Sequence, residues 1–295
     1  MRVFVTGATG FIGSALVPEL INAGHQVLGL ARSDAGANSL RGAGAQVHRG
    51  DLEDLESLRS AAAMSDGVIH LAFIHDFSKF AENCEIDRRA VGALGSALAG
   101  SKRPLIVTSG TALAAPGRSA SEQDRPSSKV PRVASEEATD ALGSQGVRAS
   151  VVRLPQVHDR VKQGLVSYLI AIAREKGVSA YVGEGLNRWP AVHVLDAAPV
   201  YRLALEKGTA GARYHAVAEE GVQLRDIANA IGRGLNIPVV SLSPEQAAAH
   251  FGWLGLFVGG DIPASSAQTQ MQLGWRPTAK PGLIEDLNNM RYQEA

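Results

Sequence analysis

The sequence predicts an α/β protein with a doubly wound parallel sheet and a smaller lobe toward the C-terminal end. Short, apolar, β-rich segments alternate with segments of helical length through the first half of the 295-residue chain. Nearly every position of these short segments is apolar, which is typical of parallel strands that helices cover on both faces. A glycine-rich turn, TGATGFIG, follows the first of them at residues 6–13. Together these observations predict a βαβ series that begins at the N-terminus.

Six predicted strands define the sheet. They are RVFVT (2–6), QVLGLA (26–31), AQVHRG (45–50), GVIHLA (67–72), PLIVTS (104–109) and RASVVRL (148–154). In the first intervening helix, Ile12, Leu16 and Leu20 lie on one apolar stripe, and Gly24 favours a left-handed stop. The rhythm becomes irregular beyond LPQVHD, so we expect a core over 1–155 and a lobe mainly over 156–295, with some segments returning to the core.

Composition excludes several classes of protein. Lys+Arg and Asp+Glu are equal at 29 each, so no overall basic charge favours nucleic acid or a membrane surface. The single cysteine, Cys84, excludes an internal disulfide and a cysteine-rich zinc site, and we expect it to pack as a small hydrophobic residue. The apolar run Val3 to Val5 is too short for a signal peptide. We expect a cytoplasmic monomer or homodimer that binds a small molecule and no metal.

The glycine turn predicts a dinucleotide site. Gly7, Gly10 and Gly13 allow a tight turn, a close approach of backbone amides to a pyrophosphate, and packing of the new helix against the sheet. Their spacing is G-x-x-G-x-x-G, and the alternative is a plain turn; the position at the first strand-to-helix junction favours the binding site. The turn residues predicted to contact the cofactor are Gly7, Thr9, Gly10, Phe11, Ile12 and Gly13.

The end of the second strand indicates which dinucleotide is bound. Arg32, followed by Ser33, stands where NAD-specific dehydrogenases usually carry an acidic residue, and a guanidinium suits the 2'-phosphate of NADP. The alternative is a solvated surface arginine, and Asp34 is close enough to leave NAD open. After the third strand, Asp51 and Leu52 are expected beside the adenine, although Asp51 could instead cap a helix starting near Leu52.

These motifs resemble a known superfamily. TGATGFIG (6–13), the arginine after strand two, GDL (50–52), HLA (70–72), VTSGT (107–111) and VHVLDAA (192–198) are similar to motifs of the extended and atypical short-chain dehydrogenases/reductases, including the NAD-dependent epimerase/dehydratase branch. The resemblance implies a Rossmann domain that binds NAD(P) and a C-terminal substrate lobe. It also implies that Leu71, Ala72 and Phe73 line the cofactor and that Thr108 and Ser109 lie beside the nicotinamide.

The chain departs from the superfamily at its catalytic motif. Typical members carry Tyr-x-x-x-Lys after strand five, but none of the five tyrosines here precedes a lysine by four residues. Aligning SKVPRVASEEA with that motif places Ser128 at the tyrosine, Arg132 at the lysine and Glu136 at a following glutamate. A serine hydroxyl is too short to replace the tyrosine oxygen as proton donor. Arginine stays protonated near neutrality, so Arg132 is expected to position groups rather than to donate a proton.

Other side chains are candidates for catalysis. Ser109 and Thr111 flank the family's Ser/Thr position and could polarise a carbonyl or simply cap the strand end. His75, just after strand four, is the first candidate for the proton donor because histidine titrates near neutrality; a plain surface histidine is the alternative. His158 is expected to face the same region.

Further features are expected to be structural. Asp196 is predicted to cap a helix whose first turn tolerates Pro199, and the Glu136–Glu137 pair to lie on an exposed helical face. FGWLGLFVGG (251–260) is a candidate pocket wall or subunit contact. The function predicted is an NADP(H)-dependent oxidoreductase acting on a carbonyl, alcohol or C=C of a small molecule. The alternatives are an epimerase or dehydratase that retains its cofactor, and a non-catalytic NADP sensor.

Overall fold

A computed structural model of the chain describes residues 1–114, 117–126, 130–278 and 281–292. Ser128, which aligns with the family's tyrosine, lies outside the described residues. Within the described part of the chain, no helix is both long and apolar enough to cross a membrane.

Among the described residues, seven parallel strands form the central sheet, and five further strands form smaller sheets. The strands are β1 (Arg2–Thr6), β2 (Gln26–Ala31), β3 (Gln46–Arg49), β4 (Gly67–His70), β5 (Leu105–Gly110), β6 (Ala149–Leu154), β7 (Gln156–His158), β8 (Ser179–Val182), β9 (Arg188–His193), β10 (Arg213–His215), β11 (Glu219–Gln223) and β12 (Val239–Leu242). The central order is β10-β6-β5-β4-β1-β2-β3. This confirms the predicted doubly wound sheet, whose order reverses between β1 and β4, where open α/β sheets bind their ligands.

Helices cover both faces of the central sheet. The helices in the described part of the chain, including those of the lobe, are α1 (Phe11–Asn22), α2 (Asp34–Gly42), α3 (Leu55–Ala63), α4 (Phe80–Ser96), α5 (Ala134–Ser144), α6 (Val166–Lys176), α7 (Val194–Lys207), α8 (Leu224–Leu235), α9 (Pro244–Phe251), α10 (Gly255–Val258), α11 (Ala267–Leu273) and α12 (Leu283–Asn289). Val3 and Val5 pack into the core beneath α1, α2 and α7, whereas Phe4 packs into the core beneath α3, α4 and α5. Burial on both faces explains why the strand is apolar at every position.

The second half of the chain divides between a lobe and the central sheet. In the lobe, α6, α8, α9, α10 and α12 share a core with the buried Trp189 of β9. Strands β11, β9 and β7 form one small sheet there, and β12 pairs with β8 in another. Strand β10 returns to pair with β6, and α7 packs against α1 on the central sheet.

The alternative interpretation of Asp51, as a helix cap, was wrong. Helix α3 begins at Leu55, and Asp54 caps it by accepting from the Ser57 amide at 3.0 Å. The Asp51 carboxylate instead accepts from the amides of Glu53 and Asp54 at 2.8 and 3.1 Å, which stabilises the turn before the helix. The segment after β3 therefore contains an extra turn before α3 begins.

The predicted cap at Asp196 was also wrong. Helix α7 begins two residues earlier, at Val194, and the His193 ring nitrogen Nδ1 accepts from the Leu195 amide at 3.2 Å. Asp196 lies in the first turn and accepts from the amide of Thr278 at 2.8 Å, which ties the C-terminal segment to α7. Pro199 lies inside the helix rather than in its first turn.

Candidate active site

Two glycines of the turn, Gly7 and Gly13, have no room for a side chain. Gly7 has a left-handed φ of +66°, and a Cβ there would lie 2.7 Å from the backbone nitrogen of Ala72. A Cβ on Gly13 would lie 2.2 Å from the carbonyl oxygen of Gly7. Helix α1 carries no acidic residue in its first turn and no side-chain cap, so its first amides are open to an anion. The turn thus fits the pyrophosphate of a dinucleotide.

Two arginines lie at the ends of β2 and β3. Arg32 is exposed and has no hydrogen bond or ion pair with any described residue. Ser33 caps α2 by accepting from the Gly36 amide at 3.2 Å. Asp34 is 3.2 Å from Arg49, and both side chains are exposed, so this pair is weak. Arg49 was not predicted as a site residue. Its position follows from the parallel pairing of β3 with β2, which places Arg49 opposite Ala31.

Arg132 lies in a short 3₁₀ turn, Pro131–Val133, immediately before α5. Its Nη1 donates to Asp87 Oδ2 at 2.7 Å, and its Nη2 donates to the Thr108 carbonyl at 3.1 Å. Nη1 also donates to Ser135. The guanidinium carbon lies 4.3 Å from the centre of the Phe73 ring. Arg132 is therefore fixed at the carboxyl edge of the sheet, between β4 and β5.

Asp87 connects Arg132 to His70 and, through it, to Thr6 at the end of β1. It is fully buried on α4, and its Oδ1 lies 3.0 Å from His70 Nε2. His70 Nδ1 lies 2.7 Å from the Thr6 hydroxyl, which in turn accepts from the Ala72 amide at 3.2 Å. Burial alone would raise the pKa of Asp87. The Arg132 charge and the hydrogen bond with His70 instead hold this pKa below its usual range. The network joins Arg132 to the residue before the glycine turn.

Sequence reasoning missed Asp87, although its pattern carried a signal. It lies on the stripe that continues through Ala90, Val91 and Leu94, all of which are buried. A carboxylate on an apolar helical face is rarely tolerated without a charged or hydrogen-bonded partner.

The hydroxyls near Arg132 bond to other parts of the protein. Ser109 Oγ donates to Glu136 at 2.7 Å, and Thr108 Oγ1 donates to the His70 carbonyl at 2.8 Å. Thr111 Oγ1 lies 3.5 Å from the Leu154 carbonyl, at the limit of a hydrogen bond. Both Ser109 and Thr111 are buried. Polarisation of a substrate carbonyl by either residue stays a prediction.

The prediction that Glu136 lies on an exposed helical face was wrong. Its side chain is fully buried and accepts from Arg153 Nε at 2.7 Å and from Arg213 Nε at 2.8 Å. Burial opposes ionisation, but the two arginines and the Ser109 hydroxyl hold the pKa of Glu136 below its usual range. Only Glu137 faces outward, 2.6 Å from Arg88. Cys84, by contrast, is buried as predicted.

His75 lies on the loop after β4, close to Arg132. Its ring centre is 5.4 Å from that of Phe73, the same ring that lies beneath Arg132. Partial burial, followed by the charges of Arg132 and Lys162, lowers the pKa of His75 from its ordinary value. The next residue, Asp76, accepts from the amide and hydroxyl of Ser78 and so has a local structural role.

His158 belongs to a different cluster. Its Nδ1 is 2.7 Å from Asp286 of α12, and His193 Nε2 is 3.8 Å from the same carboxylate. Burial lowers the pKa of His158 to about 4, which keeps the imidazole neutral at neutral pH. In the described part of the chain, His158 makes no hydrogen bond to β4, β5 or Arg132. Across the described residues, no group of three or more His, Cys, Asp or Glu is arranged to hold a metal.

The fold and the glycine turn define a dinucleotide-binding α/β protein, and comparison with known proteins identifies its family. The model of the NAD dependent epimerase/dehydratase family matches residues 3–218. The chain therefore belongs to that family. Membership supports a nicotinamide-dependent oxidoreductase or epimerase-like activity.

Three similar proteins span most of the chain. An uncharacterized protein of Schizosaccharomyces pombe is 51% identical over 99% of this chain and 100% of its own. A 4-hydroxy-2-methyl-3-oxo-4-farnesyl-3,4-dihydroquinoline-1-oxide ketoreductase of Stigmatella aurantiaca is 27% identical over 90% and 84%. The structure of a Thermus thermophilus UDP-glucose 4-epimerase in complex with NAD covers 100% of both chains with a TM-score of 0.75. Its identity is 23%, so that likeness concerns the fold alone.

Proposed function

We propose that this protein is an NADP(H)-dependent reductase that acts on the carbonyl of a small organic molecule. The observation that carries the proposal is Arg132, held at the carboxyl edge of the sheet beside His75 and next to the strand-order reversal. The ketoreductase among the relatives supports this direction of reaction. The proposed division is a cofactor domain over 1–155 and a substrate lobe mainly over 156–295, in a reducing compartment such as the cytoplasm.

The residues present fit two groups of NADP, its pyrophosphate and its 2'-phosphate. The amides that follow Gly10 would bind the pyrophosphate, since no side chain caps them. Arg32, with Arg49 beside it, would bind the 2'-phosphate. The chemistry that NADPH would supply, when bound, is a hydride for the carbonyl carbon. The protein must then stabilise the developing oxyanion and deliver a proton to it.

Arg132 is suited to stabilising the oxyanion. Its bonds to Asp87, Ser135 and Thr108 occupy three of its five N–H groups. The remaining two, on Nε and Nη2, have no partner among the described residues. A pre-positioned cationic donor stabilises negative charge on oxygen without reorganising during the reaction.

His75 is suited to delivering the proton to the oxyanion. As an imidazolium it would donate the proton that completes the alcohol, and water would then restore that proton. Because its pKa is lowered, only a minor fraction of His75 is protonated at neutral pH. The proton-transfer step should therefore become faster as the pH falls.

The cofactor assignment predicts a preference for NADPH that depends on Arg32. Wild-type protein should bind NADPH more tightly than NADH, and Arg32→Ala should remove most of the difference, about 1–3 kcal/mol for a charge-assisted bond. Calorimetric titration with both cofactors measures this directly. Arg41→Ala, which removes another arginine farther along α2, is the matched control and should leave the ratio unchanged. Equal wild-type affinities for the two cofactors would contradict the assignment.

The proton-donor assignment predicts a specific pH profile. Turnover at saturating substrates should rise as the pH is lowered toward the pKa of His75, which lies below its ordinary value, and should level off below that pKa. His75→Gln should remove this rise and slow turnover by roughly a hundredfold. His250→Gln removes another histidine whose pKa is lowered and should preserve the profile. An unchanged profile in His75→Gln would assign the proton to another group.

A further inference from the structure

A continuous row of rings leads away from Arg132 toward the lobe. We call Phe73, His75, Phe77, Tyr168 and Trp253 the aromatic row. Phe73 contacts the Arg132 guanidinium, and His75 lies between Phe73 and Phe77, with ring centres 5.4 and 6.2 Å apart. The row therefore begins where the carbonyl would bind and extends from the loop after β4 to the lobe.

At the outer end of the aromatic row, the rings of Phe77 and Trp253 are stacked. The rings of Phe77 and Trp253 lie 3.9 Å apart and 9° from parallel. Tyr168 of α6 meets both rings edge-on, with centres 5.5 Å from Phe77 and 5.2 Å from Trp253. Its hydroxyl has no hydrogen-bond partner among the described residues. Two segments far apart in the sequence thus stack the flat faces of their rings on each other at this end of the aromatic row.

Trp253 is the exposed member of the three tryptophans. Its side chain is 37% exposed, whereas Trp189 and Trp275 are 2% and 3% exposed. An indole left open at the mouth of a site offers a flat apolar face to a ligand, and aromatic pairs gain stability beyond the area that they bury. A saturated ring lacks the flat π face needed for this additional stabilisation.

We propose that the aromatic row is the substrate subsite and that it selects planar, conjugated aldehydes or ketones. The carbonyl lies at the Arg132 and His75 end, and the conjugated ring stacks on Trp253, alone or in place of Phe77. This inference rests on the proposed reductase function and narrows its substrate class. It predicts that Trp253 contributes to substrate binding and not to cofactor binding.

The kinetic test compares benzaldehyde with cyclohexanecarbaldehyde, which has a saturated ring of the same size. Trp253→Leu should lower kcat/KM for benzaldehyde roughly threefold to tenfold, mainly through KM, and should change the value for cyclohexanecarbaldehyde less than about twofold. Trp253→Phe keeps an aromatic face and should restore most of the loss. For each aldehyde, the variant is compared with the wild type on the same substrate. The difference in intrinsic reactivity between the two aldehydes therefore does not affect the result. Equal changes for both would overturn the inference while leaving the reductase function in place.

A binding test needs no turnover. Benzamide, which is not reduced by hydride transfer, should saturably quench the tryptophan fluorescence of the protein loaded with NADP⁺, whereas cyclohexanecarboxamide should not. In Trp253→Phe the remaining fluorescence of the buried Trp189 and Trp275 should not respond to benzamide. A saturable response would support the subsite even if no carbonyl were reduced, which separates it from the proposed function. Equal responses to both amides, or none, would overturn it.

Discussion

Arg132→Ala is expected to lower turnover of a carbonyl substrate by a hundredfold or more, while changing NADPH affinity only a few-fold. The loss reflects one pre-positioned donor to a developing oxyanion, which is worth about two to three orders of magnitude in rate. NADPH affinity should largely survive because, in the proposed binding mode, Arg32 and the glycine turn would still hold the other end of the cofactor. Steady-state kinetics and calorimetry on the same preparation measure the two effects.

The control for this prediction is Arg132→Lys. A lysine keeps the positive charge beside the buried Asp87 but cannot reach Asp87 and the Thr108 carbonyl in the same fixed geometry. We expect it to fold normally and to recover part of the lost turnover. Full turnover in Arg132→Ala would mean that the carbonyl is reduced elsewhere. A parallel loss of NADPH affinity would assign Arg132 to cofactor binding.

Glu136→Ala should be the most destabilising of these substitutions, lowering the free energy of unfolding by about 3–5 kcal/mol. It would leave the buried Arg153 and the nearly buried Arg213 without their shared carboxylate. Urea unfolding, followed by circular dichroism, measures the change. Glu137→Ala is the matched control one residue away; its exposed pair with Arg88 should contribute less than about 1 kcal/mol. Similar effects for both variants would contradict the buried network.

The same network predicts how stability depends on pH. Because the pKa of Glu136 is lower in the folded protein than in the unfolded chain, its contribution is fully present above the ordinary carboxyl pKa. That contribution is lost as the pH falls through the folded-state value. The stability difference between wild type and Glu136→Ala should therefore shrink under acid conditions.

Local sequence patterns predicted six of the seven strands described in the central sheet and missed β10. Strand β1 was predicted at its observed bounds, since an apolar run followed by a glycine triplet has few other interpretations. The prediction of β4 was too long by two residues, because Leu71 and Ala72 continue the apolar run after pairing has ended. The close approach of Gly7 to this segment agrees with the predicted turn.

The charged networks could not be predicted from local patterns. Glu136 is buried because its partners lie 17 and 77 residues away in the sequence, and Asp87 meets Arg132 across 45 residues. Such pairings depend on tertiary contacts that neither helical periodicity nor residue type reveals. The prediction that the acidic pair 136–137 lies on an exposed helical face failed because the arginine partners of Glu136 are distant in the sequence. The stack of Phe77 on Trp253 likewise joins two short 3₁₀ turns that lie far apart in the sequence, so no local pattern predicts their contact.

The most direct test of the central claim is to follow the absorbance of NADPH while the protein is supplied with benzaldehyde and to quantify the alcohol formed. Our account predicts a steady loss of NADPH, with one benzyl alcohol formed for each NADPH consumed, and a much slower loss with NADH. If a broader panel of carbonyl compounds also left NADPH bound but unconsumed, the protein would be a sensor. Conversion of a substrate to an isomer on a retained cofactor would make it an epimerase, and either result would contradict the reductase assignment.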